Sequence, residues 1–150
     1  MSIEKDINQA RFTSEYQKMN VNLIFTYNWL MEESKRFFEK ADLTPQQYNI
    51  LRILRGAGKP LSTLQIRQRM LDKMSDTSRI VDRLVKKELV SKEICKNDKR
   101  LVDVSISNKG TILLNNLDNF THELDSTMNN ITVEEAKIMN QLLDKLRRSE

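Results

Sequence analysis

Residues 75–106 hold one helix-like stretch followed by two strand-like stretches, and this order decides the fold. The first stretch reads SDTSRIVDRLVKKEL (75–89). It is followed by VSKEIC (90–95) and LVDVSI (101–106), which KNDKR (96–100) joins. Apolar residues recur every three or four positions in the first stretch, whereas the other two hold β-branched residues in partial alternation. The sequence therefore predicts a helix that leads into a β-hairpin with a charged tip.

Helix-start patterns lie on both sides of this stretch. Thr44–Gln47, Ser62–Gln65 and Thr132–Glu135 each place a hydroxyl side chain three residues before a Gln or Glu. Such a capping box satisfies free backbone N–H groups in the first turn of a helix. Further helices are predicted over residues 6–39, which no Pro or Gly interrupts, and from Ser107 onward. The helix that begins near Ser62 has its predicted apolar positions at Leu64, Ile66, Met70 and Leu71.

This order of elements is typical of a winged helix-turn-helix in a mainly α (α+β wing) fold. We expect a single domain over residues 1–150, with the winged helix-turn-helix lobe at about 44–107. Long terminal helices at about 1–40 and 108–150 carry apolar faces without an internal partner of matching length. We therefore expect these helices to dimerise, with a C-terminal apolar face at Ile138, Leu142 and Leu146.

The positive charge of the chain is concentrated in its middle third. Residues 52–100 hold 14 Lys and Arg against 6 Asp and Glu, a balance of +8. Residues 1–51 have a balance of −1 and residues 101–150 one of −3, and the whole chain carries +4. A basic block between near-neutral or acidic helical flanks is typical of a nucleic-acid-binding module.

Several classes of protein do not fit this composition. The lone cysteine, Cys95, excludes an intramolecular disulfide, and no CxxC or HExxH motif accompanies the one histidine, His122. We therefore expect no metal, no cofactor and no enzymatic activity. The N-terminus is polar, and no stretch reaches the roughly 20 apolar residues of a membrane span, so we expect a cytoplasmic protein.

The helix predicted from Ser75 has an aliphatic face and a polar face. At 100° per residue, its aliphatic side holds Ile80, Val81, Leu84 and Val85, and its opposite side holds Arg79, Asp82, Arg83 and Lys86. A helix that reads a major groove uses its N-terminal turns for base contacts, and arginine can pair with guanine through two hydrogen bonds. Alternatively, this is an ordinary amphipathic helix with a solvated charged face. The following hairpin and the charge distribution favour DNA binding.

The charged hairpin tip also has two interpretations. It holds three cations, Lys96, Lys99 and Arg100, and one acid, Asp98. Asn97 and Asp98 are common in surface turns for conformational reasons alone. Alternatively, Asp98 holds Arg100 in one orientation, so that the guanidinium enters a minor groove, where the negative potential is enhanced.

The helix, the wing and the strand after it resemble the MarR family of bacterial transcription regulators. The resembling motifs are TSRIVDRLVKKELV (77–90), NDKR (97–100) and VSISNKG (104–110). The LTPQQYNIL helix (43–51) and the two terminal helices also fall where the family places them. One position departs from the family pattern, because Glu88 stands where a glycine is common after the recognition helix.

The resemblance implies an obligate homodimer that binds a pseudo-palindromic duplex DNA operator, with one winged helix on each half-site. Together with the charge pattern, it predicts DNA contacts at Ser62, Gln65, Ser75, Thr77, Ser78, Arg79, Arg83, Lys86, Lys96, Asp98, Lys99 and Arg100. Many family members respond to small aromatic or phenolic ligands in a cleft between the dimerisation helices and the winged domain. Candidates for such a site are Tyr27, Trp29 and Phe38, for which a role as core or interface aromatics is the alternative.

The position of the one cysteine separates this chain from the peroxide-sensing branch of the family. That branch carries its reactive cysteine in the first helix, where this chain has Asn20 nearby. Cys95 lies next to the wing, and we expect an inert strand thiol there.

The sequence thus predicts a DNA-binding transcription regulator, specifically a repressor that a small molecule releases. The alternative is a winged-helix protein-interaction module that does not bind DNA. The balance of +8 in the middle third argues against that alternative.

Overall fold

The computed structural model describes residues 2–94 and 102–148, a mainly helical chain with a small antiparallel sheet. The elements in chain order are α1 (Ile3–Asp6), α2 (Glu15–Glu39), α3 (Pro45–Ala57), β1 (Leu61–Ser62), α4 (Thr63–Arg69), α5 (Thr77–Lys86), β2 (Val90–Ile94), β3 (Val102–Ile106), α6 (Asn108–Asp118), α7 (Thr121–Ser126) and α8 (Val133–Arg147). This order confirms the predicted winged helix-turn-helix fold. Of the described helices, none is both long and apolar enough to span a bilayer.

The three predicted capping boxes are confirmed. At the start of α3, the Gln47 backbone N–H donates to Thr44 Oγ1 at 3.2 Å, and the Thr44 N–H donates to Gln47 Oε1 at 3.1 Å. Reciprocal pairs of the same kind begin α4 and α8. In each box, two backbone N–H groups that have no acceptor within the helix donate to side-chain oxygens. The box therefore fixes the residue at which the helix begins.

The predicted helix over residues 6–39 is wrong at its N-terminal end. Asn8 adopts a left-handed backbone with φ of 54°, which ends the short helix α1. Ser14 then caps α2, because its hydroxyl accepts the Gln17 N–H at 3.1 Å. Polar side chains of this kind bond to nearby backbone and so compete with a continuous helix even without Pro or Gly.

The sheet has the order β1-β3-β2 and is antiparallel throughout. Both predicted strands of the hairpin are confirmed, with Val90 opposite Ile106 and Ile94 opposite Val102. The two-residue strand β1 was not predicted. It pairs Leu61 with Val104, and both side chains are buried, so this strand covers one edge of β3 over the core.

Helix α3 lies at the centre of the core. Its Ile50, Leu51 and Leu54 are at most 2% exposed, and the helix contacts α2, α5, α6 and β3. Fully buried partners from the surrounding elements are Leu61, Ile66, Met70, Val81, Leu84, Val104 and Leu114. The predicted apolar positions Leu64 and Leu71 are not in the core, because α4 is a short helix that turns only Ile66 and Met70 inward.

An ion pair ties α3 to α6 beside this core. The Arg55 guanidinium donates to the two Asp118 carboxylate oxygens at 2.6 and 3.2 Å. These hydrogen bonds hold the pKa of the Asp118 carboxyl below its usual range. Bidentate geometry of this kind restricts orientation more than a single contact does, so the pair helps to fix α6 against the winged lobe.

The start of α6 is pressed against the entry to the wing. A Cβ at Gly110 would lie 2.3 Å from the Leu89 carbonyl oxygen, so only glycine fits there. The same carbonyl accepts the Ser107 N–H at 3.0 Å, and the Ser107 hydroxyl donates to the Glu88 carbonyl at 2.7 Å. The turn after α5 and the first turn of α6 therefore form one joint.

Glu88 has a left-handed backbone within this joint. Its φ is 62°, a conformation in which a Cβ crowds the carbonyl and which glycine adopts without that penalty. The exposed Glu88 carboxylate pairs with Lys109 Nζ at 2.9 Å, which lowers the pKa of the carboxyl. Glutamate in place of the usual glycine thus leaves the backbone strained at this position. The exposed ion pair offsets only a small part of the cost in free energy.

We predict that Glu88→Gly raises the thermal midpoint of unfolding. Relief of the left-handed strain should raise Tm by about 2–4 °C at fixed protein concentration. Glu88→Ala is the matched control, because it removes the ion pair but keeps the Cβ, and its Tm should stay level or fall slightly. Differential scanning calorimetry decides this, and an equal fall in Tm for both variants would contradict the explanation.

Candidate nucleic-acid interface

Helix α5 begins at Thr77, two residues after Ser75, where the sequence predicts its start. Asp76 is its cap, because the Asp76 carboxylate accepts the Arg79 backbone N–H at 3.2 Å. Ser75 remains in the connection after α4, where its hydroxyl donates to the Asp72 carbonyl at 2.9 Å. The Met74 N–H donates to the Asp72 carboxylate, also at 2.9 Å. Asp72 thus holds the turn of the helix-turn-helix in one shape.

The two faces of α5 are oriented as the sequence predicts. Val81 and Leu84 are fully buried against the core. The exposed residues of the helix are Ser78, Arg79, Asp82, Arg83 and Lys86. Since the aliphatic face is held by the core, the polar face points away from the body of the lobe and is open to a large partner.

Both acids near this face are already engaged by cations. Arg79 Nε lies 3.1 Å from Asp76 Oδ2. Asp82 Oδ1 lies 2.5 Å from Nζ of Lys92, a residue of strand β2 that the sequence reasoning did not single out. Neither Arg83 nor Lys86 has a salt-bridge partner within residues 2–94 and 102–148. The net charge of the exposed face is therefore positive. The Asp82–Lys92 ion pair also connects α5 to strand β2 of the wing.

Thr77 does not lie on this exposed face, which corrects the prediction of a DNA contact there. The residue is 4% exposed, and its Oγ1 is buried without a hydrogen-bond partner among the described residues. Thr77 is the first residue of α5 and is buried, although the next two residues, Ser78 and Arg79, are exposed. Helical spacing alone could not show this, because the burial depends on the elements packed against the start of α5.

Ser62 and Gln65 keep part of their hydrogen-bonding capacity. Ser62 Oγ accepts the Gln65 N–H at 3.2 Å, and Gln65 Oε1 accepts the Ser62 N–H at 2.9 Å. The Ser62 O–H and the Gln65 side-chain NH₂ are donors that this capping box does not use. Both groups therefore remain suited to the DNA contacts that the sequence predicts, because a phosphate oxygen accepts such donors.

The remaining predicted DNA contacts, Lys96, Asp98, Lys99 and Arg100, lie outside the described residues, as does Cys95. Strand β2 ends at Ile94, and strand β3 begins at Val102. Their roles stay predictions. Within the described residues, no group of three or more His, Cys, Asp or Glu side chains is placed to hold a metal ion.

The three aromatic residues predicted to bind a ligand do not share one site. Phe38 is 4% exposed and stacks on Tyr48 with ring centroids 4.1 Å apart, which fits the alternative role as a core residue, and its role in ligand binding stays a prediction. Trp29 is exposed on α2 and lines none of the clefts described below. Tyr27 is exposed and is the candidate that does border a cleft.

Two clefts meet at Tyr27. One of about 300 Å³ lies between α2, the start of α3 and the α4–α5 connection, with Met31, Asn49 and Lys73 in its lining. The other, of about 630 Å³, separates α2 from α8 and is lined mainly by apolar side chains. The first corresponds to the predicted position between a terminal helix and the winged lobe.

A third cleft, which the sequence reasoning missed, lies beside the N-terminus of α5. It has a volume of about 400 Å³ and lies between α4 and α5. Its lining includes Leu64, Arg67, Met74, Ser75 and Ser78. Met74 is 92% exposed there. Met74 lies in the connection between α4 and α5, outside any apolar repeat, so no pattern in the sequence indicated this cleft.

Comparisons with known proteins agree with this geometry. Residues 43–102 match the model of the MarR family. The chain is 25% identical over 136 residues to the HTH-type transcriptional regulator MhqR of Bacillus subtilis (strain 168), an alignment that covers 89% of this chain and 92% of MhqR.

Solved structures of the same fold cover most of the chain. A mutant MarR from E. coli, complexed with operator DNA, superposes with a TM-score of 0.82 at 20% identity, over 93% of this chain and 100% of that chain. The organohalide-sensing RdhR transcriptional regulator in its 2,4-dichlorophenol-bound form has a TM-score of 0.82 at 21% identity, over 93% and 85%. At this level of sequence identity, the two superpositions show a shared fold and nothing about function.

We predict that Thr77→Val stabilises the protein and leaves its affinity for duplex DNA unchanged. Valine has nearly the same shape and removes a buried hydroxyl without a partner, so the free energy of unfolding should rise by about 1 kcal/mol. The neighbouring Ser78→Ala is the control, because its exposed side chain should change that free energy by less than about 0.5 kcal/mol. Urea titration measures both. A destabilised Thr77→Val variant with weakened DNA binding would restore the original prediction.

Proposed function

Since this chain belongs to the MarR family of winged helix-turn-helix transcription regulators, we propose that it is a repressor that binds an operator as a homodimer and is released by a small molecule. The observation that carries the proposal is the exposed cationic face of α5, which the buried face of the same helix holds rigid. Members of this family are regulators rather than enzymes.

The chemistry of α5 suits a major groove. Arg79 and Arg83 are one helical turn apart on the exposed face, and a guanidinium can donate two parallel hydrogen bonds to guanine O6 and N7. Ser78 lies in the first turn, which reaches deepest into the groove in helix-turn-helix proteins. Lys86, at the far end of the helix, is placed for a phosphate of the backbone.

The terminal helices support a two-fold assembly. Helix α8 has no buried residue in the single chain, and Ile138, Leu142 and Leu146 are each more than half exposed. Apolar residues of α2 are also exposed, among them Ile24 at 55%. Exposed apolar side chains in this number on two terminal helices are typical of a protein interface. A second copy that covers both helices would set two α5 helices on one duplex, as a palindromic site requires.

The cleft of about 300 Å³ at Tyr27 supports the effector part of the proposal. Its size is at the lower end of the range for small-ligand pockets. Tyr27 and Met31 offer apolar and aromatic surface, and Lys73 offers a cation that would favour a phenolate. The fold neighbour bound to 2,4-dichlorophenol makes chlorinated phenols the first compounds to test.

Selection of bound sequences from random duplex DNA tests the proposal directly. We expect a two-fold symmetric consensus, because a homodimer presents two identical reading helices. Arg83→Ala should weaken binding to that site by about 10- to 100-fold, and binding should weaken steeply with added salt. Lys137→Ala on α8 is the matched control and should bind as the wild type does. If no sequence is enriched, the chain is a winged-helix module of the protein-interaction kind.

The effector proposal has a separate test. We expect 2,4-dichlorophenol or a related phenol to release the wild-type protein from the selected duplex, as measured by fluorescence anisotropy. Tyr27→Ala should bind the duplex normally but require at least about tenfold more phenol for release. Trp29→Phe, an aromatic change on the same helix outside the cleft, is the control. Release of Tyr27→Ala at wild-type phenol concentrations would contradict this site.

A further inference from the structure

Two large apolar side chains are exposed beside the N-terminus of α5, on the surface that the proposed function turns toward DNA. Met74 is 92% exposed and Leu64 is 61% exposed. Both line the cleft between α4 and α5. Their neighbours in that lining, Arg67, Ser75 and Ser78, are polar or cationic, so these two side chains form an apolar spot within a surface of hydrogen-bonding groups.

The backbone that carries Met74 is held by two hydrogen bonds to Asp72. The Met74 N–H donates to the Asp72 carboxylate at 2.9 Å, and the next residue, Ser75, donates its hydroxyl to the Asp72 carbonyl at 2.9 Å. The core below the turn is already filled by Ile66 and Met70, which are at most 1% exposed. The Met74 side chain thus lies outside a core that other residues already fill.

The major groove of DNA presents one apolar group at the base edges, the 5-methyl of thymine. A methionine thioether is flexible and polarizable, and it adapts to an apolar partner of irregular position. Adjacent serine and arginine side chains would bond the polar base edges, which leaves the apolar spot to meet a methyl group.

We infer that Met74 and Leu64 are specificity-determining residues that contact thymine methyl groups in each half-site. The inference rests on the proposed function, because it needs α5 to lie in a major groove. It adds that thymine is selected at the base pairs that face the N-terminal end of α5, next to those that Ser78 and Arg79 reach.

Ile112 provides a control away from this surface. It is an apolar residue of α6 that is 51% exposed, and it lines neither the cleft at Tyr27 nor the cleft between α4 and α5. Loss of apolar surface at Ile112 should therefore leave the reading of thymine unchanged.

The experiment replaces each thymine of the selected duplex, one at a time, with deoxyuridine, which lacks only the 5-methyl group. Wild-type protein should lose about three- to fivefold in affinity at one or two thymines of each half-site, the value of burying one methyl group. Met74→Ala should bind the unmodified duplex about three- to fivefold more weakly and should no longer respond to deoxyuridine at one of these positions. Leu64→Ala should lose the response at the other position, and Ile112→Ala should respond as the wild type does.

The outcomes separate this inference from the proposed function. If no duplex is selected, the proposed function itself fails. If a duplex is selected and Arg83→Ala weakens its binding, but no deoxyuridine substitution changes the affinity, the function stands and the inference is overturned. Met74→Ala that keeps the wild-type response to every deoxyuridine also overturns it. Both alanine variants change exposed side chains, and their melting temperatures should match the wild-type value.

Discussion

Three aliphatic side chains of α3, Ile50, Leu51 and Leu54, form the contact on which the rest of the structure depends. They are buried at the point where α2, α5, α6 and β3 meet. Burial of each such side chain contributes roughly 1.5–3 kcal/mol, and together they fix the helices that surround α3. The direction in which α5 presents its cations follows from this packing, because Val81 and Leu84 must face α3 and the opposite side is left to solvent.

Two joints then connect the packed lobe to the helices that follow it. The Arg55–Asp118 pair fixes α6 laterally, and the contact of Gly110 with the Leu89 carbonyl fixes where α6 starts. Neither joint depends on α8, which has no buried residue in the single chain. The described chain therefore contains a well-packed winged-helix lobe and a C-terminal helix whose apolar face is exposed in the single chain.

Local chemistry explains which parts of the structure could be predicted from the sequence. Hydroxyl residues three positions before Gln or Glu predicted three helix starts, because a capping box is made by residues close in the chain. Strand β1 was missed because two residues carry no period, and its pairing of Leu61 with Val104 is a long-range contact. The burial of Thr77 and of Phe38 was not predicted, because it depends on neighbouring helices that a helical wheel does not include.

The α4–α5 connection is shared by two surfaces. Its residues from Met70 to Lys73 line the cleft at Tyr27, Met74 and Ser75 line the cleft toward α5, and Asp72 hydrogen-bonds across both parts. In a regulator of the proposed kind, one short turn would be under selection from two chemically unrelated molecules at once. A mutation that retunes the response to a signal would then tend to alter the choice of operator as well.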